Sequence, residues 1–293
     1  MEALNGYSPI QHLVSIVCPP WIERGKTLLA MLTAAFDAGG DEATPILTVA
    51  GFVSGANDWD NFSRQWKARL AVDGITYFRA VEAAHFRKQF QPWHDLPDRD
   101  KRRRDLFADL MEILKRNVYR KFGCSIINSN FTTLSQQSRD YYNLRAYSVA
   151  GRTCDKQVRE WMRDERINAP VELVFEAGDE GRRELQLRLI ADSKTVPIFR
   201  PKKDTVRKDG TTEYGFVPLQ AADWLAYEIT NAHEEFEAGR LQKFRWPFEE
   251  FNRILGEPTT YTESNLEEME ESLQLNKSLL EWEHRTGIRR SRD

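Results

Sequence analysis

Residues 28–40 read Leu28-Leu29-Ala30-Met31-Leu32-Thr33-Ala34-Ala35-Phe36-Asp37-Ala38-Gly39-Gly40. An apolar run from Leu28 to Phe36, broken only by Thr33, ends on an acid and two glycines. Spanning a bilayer takes ~20 apolar residues, so this run is far too short for that. It predicts a buried strand from Leu28 to Asp37. Ala38 to Pro45 reads as a glycine-rich turn, and Ile46 to Val53 as the hairpin partner.

Outward from this hairpin, helices and strands mix. Asn57-Asp58 offers an N-cap before Trp59, Phe62, Trp66 and Leu70, which recur at helical spacing. A short extended piece is expected around Ile75 to Phe78. Residues 100–118 place Leu106, Leu110, Ile113 and Leu114 along a helix, Tyr119 to Asn128 suits a strand, and Tyr142 to Arg163 suits a long helix. Val171 to Glu176 is a strong strand, followed by a helix from Arg182 to Ala191 and a strand from Thr195 to Phe199. A polar loop carrying Lys208-Asp209-Gly210 leads to Pro218, which at the first helical position opens a helix to Phe236. Residues 263–284 suit a charged amphipathic helix, and the basic end Arg285 to Asp293 is expected to fray. This order predicts an α/β protein, a mixed central sheet flanked by helices. Residues 1–27 read as an N-terminal extension, 28–238 as the main domain, and 239–293 as an acidic helical C-terminal extension with a basic tail.

The 293 residues are 41% hydrophobic and 30% charged, a globular rather than a disordered composition. With 42 Lys and Arg against 45 Asp and Glu, the net charge of -3 excludes a uniformly basic coat for nucleic acid. Eleven acids meet four bases between residues 234 and 271, so the rest of the chain is mildly basic. A local phosphate-binding cleft stays open. Cys18, Cys124 and Cys154 lie too far apart for a CxxC pair, and their odd number gives no disulfide framework. Ile10 to Val17 has no basic region ahead of it, so no signal-peptide pattern is seen and a cytoplasmic location is expected.

The informative residues are acids set among apolar ones. Asp37 ends the first strand, Glu176 closes the strand from Val171, and Asp223 follows Leu219 by one helical turn, toward the core side. An unpartnered buried carboxylate is costly, so such acids are paired or bound to metal. Each has a plainer reading: a turn residue before Gly-Gly, a cap or solvated strand end, or for Asp223 a pair with a base such as Lys203.

Phe36-Asp37-Ala38-Gly39-Gly40, Val49-Ala50-Gly51-Phe52-Val53, and Trp59 with Phe62 and Trp66 resemble the start of the bacterial family catalogued as domain of unknown function 3800. Phe175-Glu176-Ala177-Gly178-Asp179 and Pro218-Leu219-Gln220-Ala221-Ala222-Asp223-Trp224-Leu225-Ala226-Tyr227-Glu228 resemble its later signatures, in order. The resemblance covers residues 29 to 230. It implies an RNase H-like fold with Asp37, Glu176 and Asp223 as metal ligands. Glu82, after Tyr77-Phe78-Arg79-Ala80-Val81, is the fourth candidate. Ala38 stands where many relatives have Glu or Ser, and Arg79 where His is frequent.

Carboxylates are the hard ligands that Mg²⁺ or Mn²⁺ takes, and two such ions ~4 Å apart can cut a phosphodiester in line. The expected activity is therefore a two-metal nuclease acting on DNA or RNA. Lys202 and Lys203, in the basic loop before the Asp223 helix, and Gln220 are the expected substrate contacts; Arg102 to Arg104 read as a solvated face. The competing reading is a non-catalytic RNase H-like scaffold that meets a protein partner through the 263–284 helix and the aromatics Trp224, Trp246 and Trp282. Family habit alone suggests phage defence or a mobile element. Gly25-Lys26-Thr27 lacks the first glycine of a phosphate loop. The pairs Glu82/His85 and Glu281/His284 lack the rest of a di-iron bundle.

Overall fold

The computed structural model describes residues 31–286. The expectations for the 1–27 extension, the first residues of the strand from Leu28, and the basic tail beyond 286 lie outside the described residues, as do the side chains of Trp282 and His284. The strands are β1 (Leu32–Gly39), β2 (Ile46–Gly55), β3 (Arg120–Ile127), β4 (Val171–Glu176), β5 (Ile198–Arg200), β6 (Thr205–Val206), β7 (Thr212–Glu213) and β8 (Thr259–Tyr261). The helices are α1 (Ala56–Val72), α2 (Ala80–Ala84), α3 (Arg99–Asn117), α4 (Asn128–Phe131), α5 (Gln136–Tyr142), α6 (Ala146–Asp164), α7 (Arg182–Ser193), α8 (Pro218–Glu237), α9 (Trp246–Asn252) and α10 (Glu263–Thr286).

Six strands form one mixed sheet in the order β5-β4-β1-β2-β3-β8, and β2 runs against the other five. The expected α/β architecture, a mixed central sheet flanked by helices with a helix at the C-terminal side, is the one observed. β1 and β2 are buried on both faces because helices cover both. Side chains alternate across a strand, so Ala35, Ala50 and Phe52 enter one core while Ala34, Phe36, Val49 and Val53 enter the other.

The first core is aromatic. Trp59, Phe62 and Trp66 of α1 meet Phe78, Phe107 of α3 and Trp224 of α8, with neighbouring ring centroids 4.8–5.8 Å apart. The second core lies under α6 and α7, and Leu266 of α10 is buried in it.

Several local expectations change. α1 starts at Ala56 with Gly55 as its cap and no side-chain cap hydrogen bond; Asp58 instead accepts the Tyr119 hydroxyl. Ile75 to Phe78 joins no strand. The long helix begins at Ala146, because Asn143 turns left-handed at φ 50° and ends the separate α5. The polar loop around residue 209 is the β6–β7 hairpin. Residues 239–293 are not a purely helical appendage, since β8 pairs with β3 in the main sheet. α10 is tied to the body as well: Tyr142 donates to the Leu273 carbonyl at 2.8 Å and Ser138 to Glu270 at 2.9 Å. Trp224, expected on an aromatic surface, is fully buried. Among the described residues no helix is long and apolar enough to cross a membrane.

Candidate functional site

β1, β4 and β5 are parallel neighbours, and the carboxyl ends of such strands open onto a crevice suited to ligands. The register sets Phe36 beside Phe175, so the next residues, Asp37 and Glu176, emerge side by side. Both alternate away from the stacked Phe36–Phe175 pair and face α8. α8 can lie this close because Gly39 has no side chain: a Cβ there would sit 2.6 Å from Thr230 Oγ1 and 2.7 Å from the Ala226 carbonyl oxygen. Asp223 is thereby carried over the strand ends.

The structure brings together three of the expected acids, Asp37, Glu176 and Asp223, and adds Asp179. One oxygen from each of Asp37, Glu176 and Asp179 lies within 4.8 Å of the others. Asp223 joins through Lys202, whose Nζ is 2.5 Å from Asp37 Oδ2 and 2.7 Å from Asp223 Oδ1. The ammonium is aligned for a hydrogen bond to Asp223. Asp37 Oδ2 is buried beside that charge with no hydrogen bond of its own, and Asp179 Oδ2 is likewise buried and without a hydrogen bond. The other oxygens are held by backbone. Asp37 Oδ1 accepts the Ala38 N–H at 2.8 Å, Asp223 Oδ2 the Ala80 N–H at 2.7 Å, and Glu176 the Gly178 N–H.

Burial raises the Asp37 carboxyl well above the ordinary aspartate range; Lys202 opposes the rise, while Asp223 and Asp179 add to it. Asp179 is pushed up to about 7 by burial and by Glu176. For Lys202, burial works against the charge, but Asp37 and Asp223 outweigh it and raise the ammonium's pKa. The lysine stays charged, and the acids around it remain short of positive charge.

The other expected residues are placed elsewhere or act differently. Glu82 is buried outside the cluster, accepting the Tyr77 hydroxyl at 3.1 Å with Lys88 Nζ 3.1 Å away. Lys203 reaches not Asp223 but the Tyr77 ring, 4.6 Å from its centroid. Gln220 is a buried strut: it accepts from Trp66 Nε1 at 3.0 Å and the Phe78 N–H at 2.8 Å, and donates to the Lys202 carbonyl at 2.8 Å. Arg102 and Arg103 pair with Asp98 and Asp100 on their own helix surface.

An open cleft of about 540 Å³ adjoins Asp179, lined also by Ala38, Gly40, Asp41, Tyr147 and Glu180. A smaller cavity of about 250 Å³ is lined by Lys67, Tyr77, Lys202, Lys203, Asp204 and Gln220. The cluster's donors are all carboxylate oxygens, and Asp179 Oδ2 among them is buried without a hydrogen bond, which fits a hard divalent cation such as Mg²⁺ or Mn²⁺. No family model, no curated protein and no solved structure matches this chain.

Proposed function

We propose that this chain is a metal-dependent nuclease that hydrolyses phosphodiester bonds of DNA or RNA at the Asp37–Glu176–Asp179–Asp223 cluster, with Mg²⁺ or Mn²⁺ as cofactor. The observation that carries the reading is the gathering of Asp37, Glu176 and Asp179 at the ends of parallel strands, one oxygen of each within 4.8 Å of the others, with Asp179 Oδ2 buried and without a hydrogen bond. The family resemblance, carried by the motifs around the same strand ends and α8, points the same way. Asp37, Glu176 and Asp179 would hold the metal, which when bound supplies Lewis-acid stabilisation of the phosphate oxygens and an acidified water. The backbone N–H groups of Ala38, Ala80 and Gly178 fix the carboxylates, so they need not reorganise as charge develops. A scissile phosphate is drawn by the cavity that Lys67, Lys202 and Lys203 line, whereas Asp41 and Glu180 make the cleft beside Asp179 repel it. The free thiols of Cys124 and Cys154 suit a reducing, cytoplasmic compartment.

Purified protein with Mg²⁺ or Mn²⁺ is expected to cut at least one of single-stranded DNA, duplex DNA, RNA and RNA–DNA hybrid. Asp37→Asn and Asp223→Asn should lose that cutting while remaining folded; undiminished activity in both rejects the assignment. A second reading, a non-catalytic scaffold, is favoured only by the exposed Leu275 and Leu280 on α10, which would meet a protein partner. It requires that no substrate of the panel be cut.

A further inference from the structure

Lys202 follows β5 by two residues and enters the cluster from the third parallel strand end. Its placement is built in rather than incidental. The Lys202 carbonyl is held by Gln220, which is itself fixed by Trp66 and Phe78 in the aromatic core. The adjoining backbone is pressed against Gly215, where a Cβ would fall 2.5 Å from Lys203 Cα. Only 14% of the Lys202 side chain is exposed. From this anchorage Nζ bridges Asp37 Oδ2 and Asp223 Oδ1, as a metal ion bridging two carboxylates would.

We infer that Lys202 fills one of the two cation positions expected of such a site, so that the cluster takes one divalent ion, on Asp37, Glu176 and Asp179, and not two. The inference rests on the metal-dependent reading above and deepens it. Asp37, shared with Lys202, together with Glu176 and Asp179 supplies what one octahedral ion needs, a few carboxylates with water and phosphate completing the shell. Asp223 contributes no oxygen to that three-acid group; it holds the far side of the Lys202 ammonium, with the Ala80 N–H on its other oxygen. Charge agrees with geometry. One divalent ion and one ammonium nearly balance the cluster's carboxylates, whereas two ions would have to share contact distance with a charged, clamped lysine. The ammonium supplies, without binding or release, the positive charge on the Asp223 side that a second ion would bring to the phosphate.

The test counts ions. Calorimetric titration of the full chain with Mn²⁺, paired with electron paramagnetic resonance for spin coupling between neighbouring ions, is expected to give one uncoupled ion per wild-type chain. Lys202→Met, or Lys202→Gln should the first fail to fold, is expected to take two coupled ions, and Lys202→Arg one. Two ions on the wild type, or one on the neutral variants, overturn the role of Lys202 and leave the metal site standing. Binding to neither wild type nor variant overturns the metal-dependent reading itself, and this inference with it.

Discussion

Two sets of buried acids in this protein are treated in opposite ways. Away from the cluster, three of them have cations of their own: Glu250 meets Lys115 and Arg253, Glu82 meets Lys88 and Arg79, and Asp155 meets Arg159. At the ends of β1 and β4, Asp37, Glu176 and Asp179 crowd together, and a single ammonium, that of Lys202, is shared by Asp37 and the Asp223 of α8. An acid with its own cation is held for the fold. Acids that crowd around too little positive charge cost stability, and such crowding marks a site that takes a cation from outside.

The sharpest way to break this contrast is to neutralise one member of each set. Asp37→Asn is expected to lower the cleavage rate by about a thousandfold, on the order of 4 kcal/mol of barrier. Its melting temperature without metal should stay level or rise, because repulsion from Asp179 and Asp223 is relieved. A fall of several degrees with cleavage intact would make Asp37 a structural acid. Glu250→Ala should do the reverse. It leaves Lys115 without its buried partner and costs about 3 kcal/mol of stability in a denaturant titration, with the cleavage rate unchanged. Loss of cleavage in the folded variant would show that the two sets are not separate.

A smaller effect sharpens the same division. A ligand that binds only the folded chain stabilises it by about 2.7 kcal/mol at a hundredfold excess over its dissociation constant. Mn²⁺ should therefore raise the melting temperature of the wild type and of Glu250→Ala alike, and leave that of Asp37→Asn where it was. A rise of equal size in all three places the ion elsewhere.

How much of this could be read from the chain follows from the range of the forces involved. The first hairpin, the strand from Val171 to Glu176 and the helix opened by Pro218 are visible because hydrophobic runs, glycines and proline act locally. Asp37, Glu176 and Asp223 were legible as acids in apolar company. Their meeting was not, because it depends on the register of β1 with β4 and on the closeness that Gly39 allows. Asp179, three residues after a strand and with no apolar neighbours to single it out, has the local pattern of a turn acid. The signal was its place in Glu176-Ala177-Gly178-Asp179, where the Gly178 N–H folds back onto Glu176. Lys202 and Lys203 are neighbours of one type, and only the β5 strand end decides which of them enters the cluster. Glu82 shows the opposite limit, since the bases that satisfy it, Lys88 and Arg79, announce no pairing in sequence.

Glu228 lies between the two sets. It is 1% exposed; Oε1 has the Trp224 Nε1–H at 3.3 Å and Arg245 at 3.5 Å, while Oε2 has no partner. Burial outweighs Arg245 and pushes its pKa from 4.5 to about 7. Because the folded state holds the proton more tightly than the unfolded chain, the stability Glu228 contributes is whole below about pH 4.5 and is lost as pH rises through about 7. Glu228→Gln does not titrate and keeps the side-chain shape. Relative to wild type it should gain on the order of 3 kcal/mol between pH 4 and pH 8, read as the change in the wild-type-to-variant difference from urea unfolding at the two pH values. Other titrating groups cancel in that difference. If the difference is the same at both, Arg245 neutralises Glu228 fully, and this acid belongs with Glu250 and Glu82; if it grows with pH, a lone acid can stay half-paired in the core without a metal, and it is the crowding of several acids that sets the strand-end cluster apart.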